Sequence, residues 1–231
     1  MQLEISVVIP VYNAAPFLAD SIASALQFDD VKEVLLVEDG STDGSLAECQ
    51  RLAATDPRIV VLRHPGGGNQ GAGASRNLGI RHATKPFVAF LDADDRYLPN
   101  RFDAERRIFA AHPDADGVYG ALGVHFHSEA AKEKFMTQFE RPHTTVTEPL
   151  APEALFHGMV HNGKGYFHLD TLTAKREALL RLDSLFAEEL RLRQDTVHAF
   201  AQPRRLVVHG HDDTDLHRED FPPPRRAVAR R

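Results

Sequence analysis

The stretch FVAFLDADDRYLP, Phe87 to Pro99, sets a short apolar run in front of three carboxylates, Asp92, Asp94 and Asp95. An apolar run of this length bounded by a polar turn suits a strand covered on both faces. Three like charges at its end repel one another unless something positive stands among them. Two alternatives stay open on these residues, a solvated turn and a bound cation. An Asp-x-Asp at a strand end places Asp92 and Asp94 on one side of an extended segment. The same alternation sends Asp95 elsewhere, toward capping the helix that follows.

Outward from this stretch, the first half alternates apolar bursts with helical patterns. LEISVVI (Leu3 to Ile9) predicts a strand stopped by Pro10, and EVLLVE (Glu33 to Glu38) and RIVVLRH predict two more. Between them, NAAPFLADSIASALQ spaces Leu18, Ile22, Ala25 and Leu26 as a helix does, with Pro16 in its first turn. Asp43 or Thr42 can cap a second helix carrying Leu46 and Cys49. A glycine-rich loop, PGGGNQGAGASRN, runs into a third helix, and LPNRFDAERRIFAAH predicts a fourth that begins near Pro99. Strand and helix in alternation argue for a mostly parallel, doubly wound α/β sheet. After Asp116 the rhythm breaks: DGVYGALGVHFH gives one or two strands, FHLDTLTA is extended, KREALLRL and QDTVHAFAQ are helical, and RLVVHGH is a last strand.

The formal net charge of −6 gives no bulk attraction for nucleic acid. A single cysteine, Cys49, excludes an internal disulfide and fits a reducing compartment. No apolar run reaches the roughly 20 residues that cross a bilayer. The start, MQLEISVVIPVYN, lacks a basic n-region and is expected to be a first strand, not a signal peptide. On these features the chain is expected in the cytoplasm. The end, FPPPRRAVARR, is expected to be a mobile tail whose arginines could touch an anionic membrane surface at the inner face.

In an open parallel sheet, ligands bind beyond the carboxyl ends of the strands. PVYN, EDGSTD, the glycine loop and DADD all fall on that rim. Asp39 at a strand tip is an ionised acceptor, suited to the imide of uracil or thymine or to the edge of guanine; a helix cap explains it as well. The glycine loop has Arg76 where a dinucleotide fingerprint needs its third glycine, and it lacks the Lys-Ser/Thr of a P-loop. Arg76 can pair with a phosphate from the start of the following helix. Hard cations such as Mg²⁺ or Mn²⁺ take oxygen ligands, commonly carboxylates plus substrate phosphates, which favours the cation at DADD.

SVVIPVYNAAPFLADSIASAL, EVLLVEDGSTDGS, GAGASRNLGI and PFVAFLDADDRYLP together resemble the family-2 glycosyltransferases of the GT-A fold, from Ser6 to about Phe109. The resemblance implies inverting transfer of a sugar from a nucleoside diphosphate sugar, UDP-linked before others, with Mn²⁺ or Mg²⁺. It puts Pro10, Tyr12, Asn13, Asp39, Asn69, Arg76, Asp92 and Ala93 at the nucleotide-sugar and Asp94 on the metal. It also matches LFAEELRLRQDTVHAF, with Phe186, Glu188 and Glu189, to a family stretch near the acceptor, so that Asp195 takes the place of the catalytic base. Gln194 departs from the family's Glu there. A late loop with His209 and His211 offers His211 as a further metal ligand, and His157, His161 and His168 are candidates for acceptor contacts. The implied organisation is a nucleotide-sugar half over residues 1–115, an acceptor and catalytic half over 116–215 of the same domain, and the tail at 216–231. The acceptor would be a glycan, a lipid-linked or a protein hydroxyl, and the reading admits a homodimer. A nucleotide-sugar binding module without catalysis is the alternative. A nucleotidyltransferase would need a glycine-rich loop after the first strand, where PVYNAAP stands.

Overall fold

The computed structural model describes residues 2–120, 122–124, 126, 128–137, 143–144, 168–182, 186, 188 and 206–208. Four strands, β1 (Ile5–Val11), β2 (Val31–Glu38), β3 (Ile59–Arg63) and β4 (Phe87–Phe90), lie parallel in the order β3-β2-β1-β4. Three helices make the crossovers: α1 (Leu18–Leu26), α2 (Ser45–Ala53) and α3 (Ala72–His82). After α4 (Asp103–Ala111) come the short strands β5 (Gly117–Tyr119) and β6 (Leu122–Gly123), helix α5 (Glu129–Met136) and β7 (His143–Thr144). A 3-10 turn, Leu169–Thr171, leads into β8 (Leu172–Lys175), helix α6 (Arg176–Leu180) and, further on, β9 (Leu206–Val208). β8 joins the sheet antiparallel to both β4 and β5, and β9 pairs parallel with β5. The result is a seven-stranded, mostly parallel sheet, order β3-β2-β1-β4-β8-β5-β9, with β6 and β7 as a separate pair.

Alternation along each strand divides the core into two layers. Ile5, Val7 and Ile9 of β1, Val34 and Leu36 of β2, and Phe87 and Ala89 of β4 face Leu18, Ile22, Cys49, Phe102 and Phe109. Val8, Leu35, Val37, Val88 and Phe90 face the other way, onto Ile80, Leu169, Leu179 and Phe186. Helices therefore cover both faces of the sheet, which is why the strands carry unbroken apolar runs. Burial pushes the Cys49 thiol up to about 12, with Glu38 and Glu48 adding to it, so this cysteine is packing.

Pro10 does not stop β1, which continues to Val11. Val8 accepts from the Leu91 N–H on the β4 side, whereas Val11 accepts from the Asp39 N–H on the β2 side. By alternation Pro10 faces the β4 side, where that strand has already ended at Phe90, so the missing N–H costs no ladder bond. The fourth helix begins at Asp103, later than its sequence suggests, because Pro99 to Phe102 form turns first.

Candidate active site

β1, β2 and β4 run the same way, so the segments after Val11, Glu38 and Phe90 emerge on one rim. Asn13 adopts a left-handed φ of 51°, donates its N–H to Ser41 Oγ at 3.1 Å and accepts the Thr42 N–H on Oδ1 at 2.9 Å. These bonds tie the β1 tip to the β2 tip. Tyr12 beside it is 50% exposed, and Pro10 is half-buried. Asp43 accepts the Ser45 N–H at 2.8 Å just before α2, but the N-cap position falls on Gly44, so neither Asp43 nor Thr42 is the capping residue.

Asp39 is 2% exposed, and its two oxygens accept the Gln70 and Gly71 N–H groups at 2.7 and 2.8 Å. The carboxylate that suits a base edge thus also fastens the glycine-rich loop. An ionised carboxylate has about four acceptor sites, so further acceptor capacity remains. Gly40 makes the approach feasible: its φ is +73°, and a Cβ there would stand 2.8 Å from the Asn69 nitrogen. Asn69 is half-buried in the same loop. His64 Nε2 lies 3.1 Å from Ser75 Oγ and 3.7 Å from Asp39 Oδ1, behind the carboxylate.

At the β4 tip, Arg76 of α3 is buried and donates through Nη2 to Asp92 Oδ1 at 2.7 Å. Arg76 therefore supplies one of the positive partners the acidic stretch requires. Ala93 packs into the core, which leaves its backbone as the part that can face a ligand. Asp94 is exposed and makes no hydrogen bond or ion pair with a described residue.

Asp95 departs from the alternation argument. β4 ends at Phe90, and Asp92 to Asp95 form a turn closed by the Asp95 N–H on the Asp92 carbonyl at 3.1 Å. Strand periodicity does not extend over a turn, so Asp95 comes back toward Asp92, and it does not cap α4. Ligand atoms of Asp92, Asp95 and His168 all lie within 4.8 Å of one another. Burial raises the Asp95 carboxyl above its usual range; a bond from Asp170 works against this, and the charge of Asp92 works with it.

Asp170 is the site residue that sequence reasoning missed. It is 5% exposed in the 3-10 turn before β8, and both its oxygens lie 3.2 Å from the Asp92 N–H they accept. Burial, then the charges of Asp92 and Asp95, pushes its carboxyl well above the ordinary range. Its one sequence signal is an acid inside FHLDTLTA, a segment that otherwise reads as extended. His168 Nδ1 lies 3.7 Å from Asp170 Oδ1 and 3.4 Å from the Asp170 N–H. His168 thus stands beside the acidic cluster. Asp195, His157, His161, His209 and His211 lie outside the described residues.

Residues 6–166 match the sequence pattern of glycosyl transferase family 2. The chain belongs to that family. EpsJ of Bacillus subtilis, described as a glycosyltransferase, is 28% identical over 209 residues, covering 88% of this chain and 58% of EpsJ. The succinoglycan biosynthesis protein ExoU of Rhizobium meliloti is 35% identical over 98 residues, 42% of this chain and 28% of ExoU. This family-2 chain therefore spans less than two thirds of the length of these relatives. Among solved structures, residues 1–349 of S. aureus TarS superpose with a TM-score of 0.67 at 22% identity, over 90% of this chain and 58% of that one. A mannosyltransferase of Pyrobaculum calidifontis, solved with GDP-Man and Mn²⁺, gives 0.57 at 21% identity over 93% of this chain and 59% of its own. The family-2 chain thus has the GT-A fold expected from its motifs. TarS has also been solved with UDP and with UDP-GlcNAc.

Proposed function

We propose that this family-2 glycosyltransferase moves a sugar from a UDP-sugar to an acceptor hydroxyl, with inversion at the anomeric carbon. The observation that carries the reading is the acidic turn at the β4 tip, held by Arg76, on the same rim as Asp39. In this reading residues 1–115 bind the donor and residues 116–215 the acceptor. Asp39 accepts the imide N–H of the base, with Tyr12 and Pro10 beside the ring and Asn69 in the loop that Asp39 fastens. Arg76 orients Asp92 toward the ribose and diphosphate. Asp195 takes the proton of the acceptor hydroxyl as its oxygen attacks the anomeric carbon, and the sugar–phosphate bond breaks on the opposite face.

The residues at the turn fit Mn²⁺ or Mg²⁺. Asp94 is exposed and has no hydrogen-bond or ion-pair partner among the described residues, and the donors of Asp92, Asp95 and His168 lie close together, two hard carboxylates beside one imidazole. Asp94 would hold the ion with Asp92, Asp95 and His168 around it, and His211 is a further proposed ligand. When bound, the ion offsets the charge of the departing diphosphate. The UDP-bound TarS structures support uracil as the base, and the Mn²⁺ of the mannosyltransferase supports a metal.

The test is a thermal-shift screen against UDP, GDP, dTDP and CDP with and without Mn²⁺, followed by turnover with the corresponding sugar donors. UDP should stabilise the protein, more so with Mn²⁺, by an amount that grows as RT ln(1 + [L]/Kd). Asp94→Ala should remove the metal-dependent part of the shift. Asp195→Ala should retain the shift and lose transfer by about 10²-fold or more. Near-normal transfer by Asp195→Ala would sink its role as base. Binding without any metal-dependent transfer would return the binding-module reading.

A further inference from the structure

Arg76 and Asn77 are adjacent on α3, and both are buried. Arg76 serves the donor side through Asp92. Asn77 serves a segment 109 residues away: its Nδ2 donates to the Phe186 carbonyl at 2.9 Å, and its Oδ1 accepts the Phe186 N–H at 2.9 Å. Nδ2 also reaches Glu188 Oε1 at 2.8 Å, and Arg81, further along α3, meets the same oxygen at 3.4 Å. One side chain thus reads both backbone polar groups of Phe186, as a paired strand would, and fixes that residue against α3.

The ring held in this way is not only core filling. It meets Phe90 edge-on, with centroids 5.9 Å apart and planes at 79°, two residues before Asp92. Its face lies 5.8 Å from the Arg76 guanidinium carbon. That distance is within cation–π range, and the attraction grows where water is excluded. An arginine side chain has several soft torsions, so a guanidinium reaches one carboxylate oxygen reliably only when its position is restricted. Here the Phe186 face bounds it on one side and Asp92 Oδ1, at 2.7 Å, receives it on another. Phe186 and Glu188 come from the second half of the chain, whereas Arg76 and Asp92 come from the first.

We infer that Phe186, latched by Asn77, is a positioning residue for the Arg76–Asp92 pair, so that the second half of the chain sets how the β4 carboxylate meets the donor diphosphate. The inference rests on the donor-site reading above. Phe186→Leu keeps an apolar, though smaller, side chain and the backbone latch but removes the ring face. Phe186→Met, run beside it, does the same with a longer chain. Asn77→Asp keeps an acceptor for the Phe186 N–H and loses both donations.

The experiment combines calorimetric titration of UDP, with and without Mn²⁺, and a crystal structure of Phe186→Leu. All three variants should weaken UDP binding in Mn²⁺ by about tenfold, with little change in its absence. In the crystal structure, Arg76 should leave Asp92. A purely structural role would lower the melting temperature while leaving UDP affinity within about twofold of wild type and the Arg76–Asp92 bond intact, and that result overturns the inference. If the wild type binds none of the nucleoside diphosphates, the donor-site reading fails. The position of Arg76 in the Phe186→Leu structure then decides the positioning role by itself.

Discussion

At the tip of β2, Glu38 and Asp39 turn their carboxylates to different neighbours. Glu38 is buried, accepts the Ser41 N–H at 2.5 Å and receives Arg63 Nε at 2.8 Å. Burial works against its charge, but the bonds from Ser41 and Arg63 outweigh it and hold the carboxyl below its usual 4.5. A depressed carboxyl stabilises the fold above its unfolded value, and that contribution disappears as pH falls through the folded value. Glu38→Gln keeps an acceptor for Ser41 and loses the charge. It should cost about 1–2 kcal/mol at pH 7, because hydrogen bonds to charged groups exceed neutral ones by that order. Urea denaturation from pH 7 down to pH 3 checks this. The gap to wild type should stay constant above the usual carboxyl value and close below it. A gap that does not narrow at all as pH falls from 5 to 3 would assign the loss to shape and not to charge. Asp39 was legible as a strand-tip acceptor from EDGSTD, but its two bonds to the glycine loop were not, because they join residues more than thirty positions apart.

Helix α3 lies where the glycine-rich loop, the sheet and the second half of the chain meet. Gly79 presses it onto β1: a Cβ there would stand 2.3 Å from Val8 Cγ1 and 3.0 Å from Cγ2. Gly79→Ala should therefore destabilise by about 2 kcal/mol through overpacking, against the small gain alanine brings to a helix interior. Val8→Ala opens the space, so the double variant should be more stable than the sum of the single losses predicts. A double-mutant cycle in urea measures that coupling, and simple additivity would mean the two residues do not meet. The sequence made α3 visible as a glycine loop entering a helix, with Arg76 at its start. What stayed hidden is that Arg76 reaches Asp92 and Asn77 reaches Phe186, since neither contact follows any local period. The same holds for Asp170, whose partner Asp92 is 78 residues away. The parallel strands were legible for the opposite reason: burial on both faces writes itself into consecutive residues. Asp95 shows the limit of that logic, because alternation holds only while the strand lasts.

Across the whole molecule the sheet does not stop at the four parallel strands that the alternating pattern announces. β8 crosses back antiparallel between β4 and β5, and the turn before it delivers Asp170 and His168 to the acidic turn at the β4 tip from the far part of the chain. β9 then pairs with β5 through Leu206, Val207 and Val208 opposite Gly117, Val118 and Tyr119. Val118 and Tyr119 are buried, so the edge that β9 covers belongs to the core layer. Residues 216–231 end in FPPPRRAVARR, a run rich in proline and arginine and poor in large apolar side chains. Two truncations separate these roles. Ending the chain after residue 215 should leave the melting temperature within about 1 °C of the full chain. Ending it after residue 203 removes β9, bares the β5 edge, and should lower the melting temperature by about 5 °C or more. The shorter chain should also associate on warming, because an unpaired strand edge templates pairing with a second copy. Differential scanning calorimetry with light scattering reads both effects. A chain ending at 203 that melts as the full chain does, without scattering, would mean that β5 needs no partner beyond β8.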